Sequence, residues 1–144
     1  MSLHDMIQDI RMFRYFTEKE KADFAAMNHS FQNFRKGDVV IKEGAMYKSL
    51  YLLIKGSVLI TKSNHAKPLS RLTAGMIFGE MSFFNEKPRH TNVIAEEDIM
   101  VLRIDKALFQ SMPQDIRDKI KDYLIETLID RLEDMNDNYI RMIL

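Results

Sequence analysis

The hydrophobic positions of this chain follow a helical period at both ends and an extended one between them. Leu3, Met6, Ile7 and Ile10 recur at spacings of three and four, which predicts a short amphipathic helix over residues 3–10 with one apolar stripe. Beyond Phe13 and Phe16, Thr17 and Glu20 have the spacing of a capping box, and Phe24 and Met27 continue the apolar face of a second helix ending near Asn28. From Ser30 the pattern becomes extended: Phe31 to Phe34 and Val39 to Ile41 read as strands separated by the turn Arg35-Lys36-Gly37-Asp38, and Gly44 ends the second run. Residues 49–55 are almost continuously apolar and predict a buried strand, with Gly56 as a turn and residues 57–62 pairing back as a hairpin. The polar tip at 63–68 caps the next hairpin, whose short strand runs from Pro68 to Leu72, and Ala74-Gly75 is a turn. Two further strands, 91–95 and 99–104, are joined by the acidic turn Glu96-Glu97-Asp98.

From Asp105 the period is helical again. Ala107, Leu108 and Phe109 belong to a short helix closed by Pro113, and a long helix follows from about Gln114 to the C-terminus. Its apolar residues change face partway. Ile116, Ile120 and Leu124 are spaced by four, as for packing against the body of the domain, whereas Ile125, Leu128, Leu132, Met135, Tyr139 and Met142 follow the alternating three and four of a coiled-coil seam. A helix gains little by exposing such a seam, so the expected partner is another chain, most simply a parallel two-fold homodimer; folding back onto the domain is the alternative. The architecture expected is mainly β with flanking helices: a β-roll of the double-stranded β-helix or jelly-roll kind at 29–104, N-terminal helices at 1–28 and C-terminal helices at 105–144, all one domain.

Composition removes several classes of function. With 21 Lys plus Arg against 21 Asp plus Glu, the 144-residue chain has no net field to draw it to nucleic acid or an anionic membrane. It has no cysteine, hence no disulfide framework or thiolate chemistry, which fits a cytoplasmic location. No run approaches the ~18 apolar residues of a membrane span, and the first residues lack the form of a signal peptide. The 11 methionines are read as core and interface filler. His4, His29, His65 and His90 are scattered, so no metal centre is expected, and neither a nucleophile elbow nor a P-loop occurs; the chain is not expected to be an enzyme or to need a cofactor.

The candidate chemistry lies at 78–91, F-G-E-M-S-F-F-N-E-K-P-R-H-T. Gly79 lets the backbone approach a ligand closely, the segment 80–84 can form one helical turn, Glu80 offers acceptor oxygens to a sugar hydroxyl, and Arg89 after Pro88 offers a planar fork to a phosphate. These residues also fit an ordinary surface loop.

The order of two helices, a roll, the G-E…P-R segment and a long last helix resembles the cyclic nucleotide-binding domain of catabolite-activator-type regulators, cAMP-dependent kinase regulatory subunits and cyclic-nucleotide-gated channels, over roughly residues 12–135. All five glycines, Gly37, Gly44, Gly56, Gly75 and Gly79, stand where that family's pattern has them. The resemblance implies that Glu80 accepts from the ribose 2′-hydroxyl and that Arg89 pairs with the cyclic phosphate. It further implies that Gly79, Met81 and Ser82 present backbone N–H groups and that His90 and Thr91 close the pocket. The long helix would cap the base and pass the signal on, so the function implied is a regulatory sensor; a ligand-free dimerisation or protein-interaction module on the same fold is the alternative.

Two positions depart from the family. His90 replaces the small residue that follows the arginine, so that its ring either crowds the phosphate or donates to it, and Asn85-Glu86-Lys87 replaces a glycine-containing loop, a loss that is tolerable because Asn can take the left-handed conformation. Because the family's guanine-contacting hydroxyl directly follows the arginine and Thr91 lies one residue later, cAMP is expected ahead of cGMP. No helix-turn-helix follows the last helix, so direct DNA binding is not expected, and the downstream effector leaves no motif.

Overall fold

The computed structural model describes residues 2–46, 48–85 and 87–144, without the side chains of Met81 and Ser82. Helix α1 (Leu3–Met6), a 3-10 turn (Arg11–Phe13) and α2 (Glu18–Ala25) lead into β1 (Ser30–Phe34), β2 (Val39–Ile41), β3 (Leu50–Lys55), β4 (Ser57–Thr61), β5 (Ser70–Thr73) and β6 (Ile77–Phe78). Helix α3 (Glu80–Asn85) interrupts the strands, which resume as β7 (Asn92–Ala95) and β8 (Ile99–Ile104) before α4 (Lys106–Ser111) and α5 (Gln114–Ile143). The strands form two antiparallel four-stranded sheets, ordered β1-β8-β3-β6 and β2-β7-β4-β5. This is the expected roll with flanking helices.

Successive side chains of a strand point to opposite faces, and in β3 and β8 both faces are covered. Leu50 and Leu52, with Leu102 and Ile104, enter a core that also holds Phe13, Phe24 and Ile120 from the helices. Tyr51, Leu53, Ile99 and Val101 point the other way, into the core between the sheets. The unbroken apolar run of β3 therefore records a central strand in a three-layer arrangement of helices, sheet and sheet.

That centrality overturns the expected β3–β4 hairpin. Strand β3 is flanked by β8 and β6, so no edge is left for β4, which lies between β7 and β5 in the other sheet. Gly56 is where the chain changes sheet: its φ is +89°, and a Cβ there would lie 2.7 Å from both the Asp98 carbonyl oxygen and the Ile99 side chain. The β4–β5 hairpin forms as expected, with its second strand at Ser70–Thr73 rather than 68–72. Strand β6 is too short for a period of its own and was not foreseen. At the N-terminus, α1 ends at Met6, yet Ile7 is fully buried and Leu3 and Ile10 pack against the helical core.

The capping box at α2 is present as read from the sequence: the Glu20 amide donates to Thr17 Oγ1 at 3.1 Å and the Thr17 amide to Glu20 Oε1 at 2.8 Å. Glu20 also accepts from Lys119 of α5, so a buried carboxylate is neutralised by the cation of a distant helix. First the Lys119 bond and then the Thr17 amide hold its carboxyl below the usual range. Such a group stabilises the fold above the carboxylate's ordinary pKa, and its contribution fades as pH falls through the lowered, folded-state value. Glu20→Gln is therefore expected to lower Tm by roughly 3 °C at pH 7. Thermal melts at pH 7 and pH 3 should show that gap closing in acid.

Candidate functional site

Strand β6 brings the chain to the site. Its two residues pair with β3 in the register Tyr51↔Phe78 and Leu52↔Ile77, and the Phe78 ring stacks on Tyr51 at 5.2 Å between centroids. Gly79 then turns the backbone with φ +85° and α3 begins at Glu80. A Cβ on residue 79 would stand 2.7 Å from the Ser49 carbonyl oxygen and 3.1 Å from Arg89 Nη1, so this glycine meets both a conformational and a steric demand. Helix α3 is anchored by Phe83, which is buried and meets Phe109 of α4 edge-on at 5.4 Å. Asn85 is the last residue of α3 and does not use the left-handed conformation open to it; its side chain accepts from the Lys87 amide at 3.1 Å. Glu86, the middle of that expected loop, lies outside the described residues.

Arg89 returns beneath the turn. Only 4% of it is exposed, and its guanidinium donates from Nη1 to the Gly79 carbonyl at 2.7 Å and from Nη2 to the Ser49 carbonyl at 2.8 Å. The main chain of Arg89 is held as well, its amide by the Ala45 carbonyl at 2.9 Å and its carbonyl by the Gly44 amide at 2.8 Å. Glu80, 5% exposed, accepts from Arg131 of α5, whose other terminal nitrogen donates to the Ile77 carbonyl at 3.2 Å. One arginine thus fastens the turn to the start of β3 and a second fastens the acid to the last helix.

Of the residues singled out from sequence, the structure gathers Gly79, Glu80 and Arg89 around a single turn. Met81 and Ser82 lie in the first turn of α3, their side chains outside the described set. His90 is exposed at the surface, with its carbonyl accepting from Lys62 at 2.7 Å, and Thr91 is half-buried just before β7. The seam residues of α5 are exposed, from 36% at Leu128 to 84% at Met142, and Ile129, Ile140 and Ile143 widen the same apolar arc.

Two contributors were not foreseen. Ser49 acts through its carbonyl, which any residue supplies, so no motif marks it. Arg131 did leave a signal: seven residues beyond Leu124 it returns to the body-facing stripe of Ile116, Ile120 and Leu124, a charge where the pattern asks for an apolar side chain.

Residues 31–115 match the family model described as cyclic nucleotide-binding domain. The cAMP-dependent protein kinase regulatory subunit of Debaryomyces hansenii is 27% identical over 108 residues, 75% of this chain and 24% of that protein. Human cGMP-dependent protein kinase 2 is 37% identical over 81 residues, covering 53% of this chain and 11% of that one. The chain therefore spans about a quarter of the regulatory subunit and less of the kinase. The crystal structure of a cyclic nucleotide-binding domain from Methylobacillus flagellatus superposes with a TM-score of 0.81 at 18% identity, over 94% of this chain and 79% of that one, a likeness of fold.

Gly79→Ala should cost about 1–3 kcal/mol of stability, because the added methyl meets a backbone oxygen in a conformation that L-residues avoid. Urea unfolding of the two proteins measures this; Gly75→Ala, with a similar φ of +93° and nothing near its Cβ, should cost less.

Proposed function

Because the chain belongs to the cyclic nucleotide-binding domain family, we propose that it is a regulatory domain whose 79–91 segment binds a cyclic nucleotide, cAMP ahead of cGMP, and reports occupancy through α5. The observation that carries this reading is the buried guanidinium of Arg89, held under the Gly79 turn with the Glu80 carboxylate as the next residue. A planar cation and an acceptor so placed suit the two ends of a ribose-phosphate: Arg89 takes the phosphate oxygens and Glu80 the 2′-hydroxyl. The amides of Gly79, Met81 and Ser82 line the same turn, and His90 and Thr91 close the site from the strand side. The preference for adenine rests on His90 standing where a guanine-contacting hydroxyl would follow the arginine.

The pairing of Glu80 with Arg131 supports the route out of the site, since an acid that receives the ribose is already in contact with α5. From Ile125 onward that helix exposes an apolar seam, which supports homodimerisation through α5 as the output or its scaffold. No helix among the described residues is long and apolar enough to cross a membrane.

Isothermal titration with cAMP and with cGMP tests the ligand. Heat at micromolar cAMP is expected, and Arg89→Ala should weaken binding by about 2–5 kcal/mol. Silence with both nucleotides would leave the fold as a ligand-free dimerisation module. Light scattering tests the assembly: the wild-type chain should run as a dimer and Leu132→Asp, a charge in the middle of the seam, as a monomer.

A further inference from the structure

Three separate segments meet around the backbone of Arg89. The loop after β2 holds it directly, through the Gly44 amide at 2.8 Å and the Ala45 carbonyl at 2.9 Å. One residue upstream in that loop, the Glu43 amide donates to Asn92 Oδ1 at 2.8 Å, and Asn92 Nδ2 reaches Ser63 Oγ at 3.3 Å. One residue downstream of Arg89, the His90 carbonyl accepts from Lys62 Nζ at 2.7 Å, and the same ammonium pairs with the Glu43 carboxylate. Lys62 lies just past β4, at the end of the ladder where Thr61 pairs with Asn92. The Lys62–Glu43 pair therefore ties together the positions on either side of the points that grip Arg89.

We propose that Lys62 and Glu43 are positioning residues for Arg89, setting where its main chain stands beneath the Gly79 turn and so how tightly the site holds a phosphate. The side chains of Lys62 and Glu43 are 40% and 22% exposed, and a pair so placed adds little to global stability. Its effect is local. The Arg89 guanidinium must satisfy two fixed carbonyls, Gly79 and Ser49, and a shift of its Cα by a fraction of an ångström spoils the geometry of both bonds as well as the approach of an anion. The Glu43 carboxyl is held below the usual carboxylate range, first by Lys62 and then by Ser63.

The functional half of this inference rests on the nucleotide reading above; the structural half does not. In the ligand-free protein, Lys62→Met and Glu43→Ala should speed hydrogen exchange at the Gly44 and Arg89 amides by about 10-fold while exchange in β3 and β8 stays unchanged, and Lys62→Arg should restore protection. Unchanged exchange at those two amides in both variants overturns the proposal, as does a uniform acceleration across the molecule. With cAMP, Lys62→Met should weaken affinity about 10-fold, again with rescue by arginine. Wild-type affinity in Lys62→Met would overturn the functional half. A wild-type protein silent toward both nucleotides would instead remove the ligand reading, with the exchange experiment still deciding whether Lys62 and Glu43 position Arg89.

Discussion

Arg89 carries a permanent charge into a place almost closed to water, and two backbone carbonyls receive it there. A buried guanidinium without acceptors would be costly, so the carbonyls of Gly79 and Ser49 must face it, and that requirement runs outward through the fold. To present its carbonyl, residue 79 takes the left-handed conformation and has no room for a Cβ. To present that of Ser49, the chain must enter β3 directly opposite, which the pairing of β3 with β6 and β8 enforces. Ser49 is itself held by Arg103 of β8, whose Nε donates to its hydroxyl at 2.9 Å. The turn, the central sheet and the arginine are one mechanical unit.

Helix α5 joins that unit by a different kind of contact. Up to Leu124 it is packed by apolar side chains in the shared core. Beyond that point the ties seen among the described residues are made by charged side chains: Arg131 to Glu80 and to the Ile77 carbonyl, and Arg11 to Glu126 and Asp130 at 3.7 and 4.0 Å. Apolar burial is non-directional and is lost only by opening the core, whereas an ion pair yields to a group that offers one partner an alternative. The distal half of the helix is thus held without apolar packing, and it is also the part that carries the exposed seam.

Much of this arrangement was legible one-dimensionally. The glycines at 37, 44, 56, 75 and 79 all have positive φ, as turns between short strands require, and their spacing along the chain outlined the roll. Thr17 and Glu20 marked the start of α2, and the stripe Ile116, Ile120 and Leu124 marked the buried face of α5. Gly79, Glu80 and Arg89 stood out because their chemistry is specific and their separation is local. The errors occurred where local pattern and global partner diverge. A glycine between two apolar runs is the sign of a hairpin, yet the same sign accompanies a change of sheet when the preceding strand already has two neighbours.

The sequence by itself determined the class of elements and their order, and it singled out Gly79, Glu80 and Arg89 as candidates, because these follow from periodicity, backbone allowance and side-chain chemistry over a few positions. Tertiary structure decided which strands pair, that Ser49 would supply a carbonyl to Arg89, that Arg131 would reach Glu80 from 51 residues away, and that Lys62 would join Glu43 to the His90 carbonyl. Those contacts use backbone groups common to every residue, or charges brought together only when the sheets close. Local pattern marks Arg131 as a charge on the packed stripe but names the partner of none of these groups; the closing of the two sheets and the docking of α5 do.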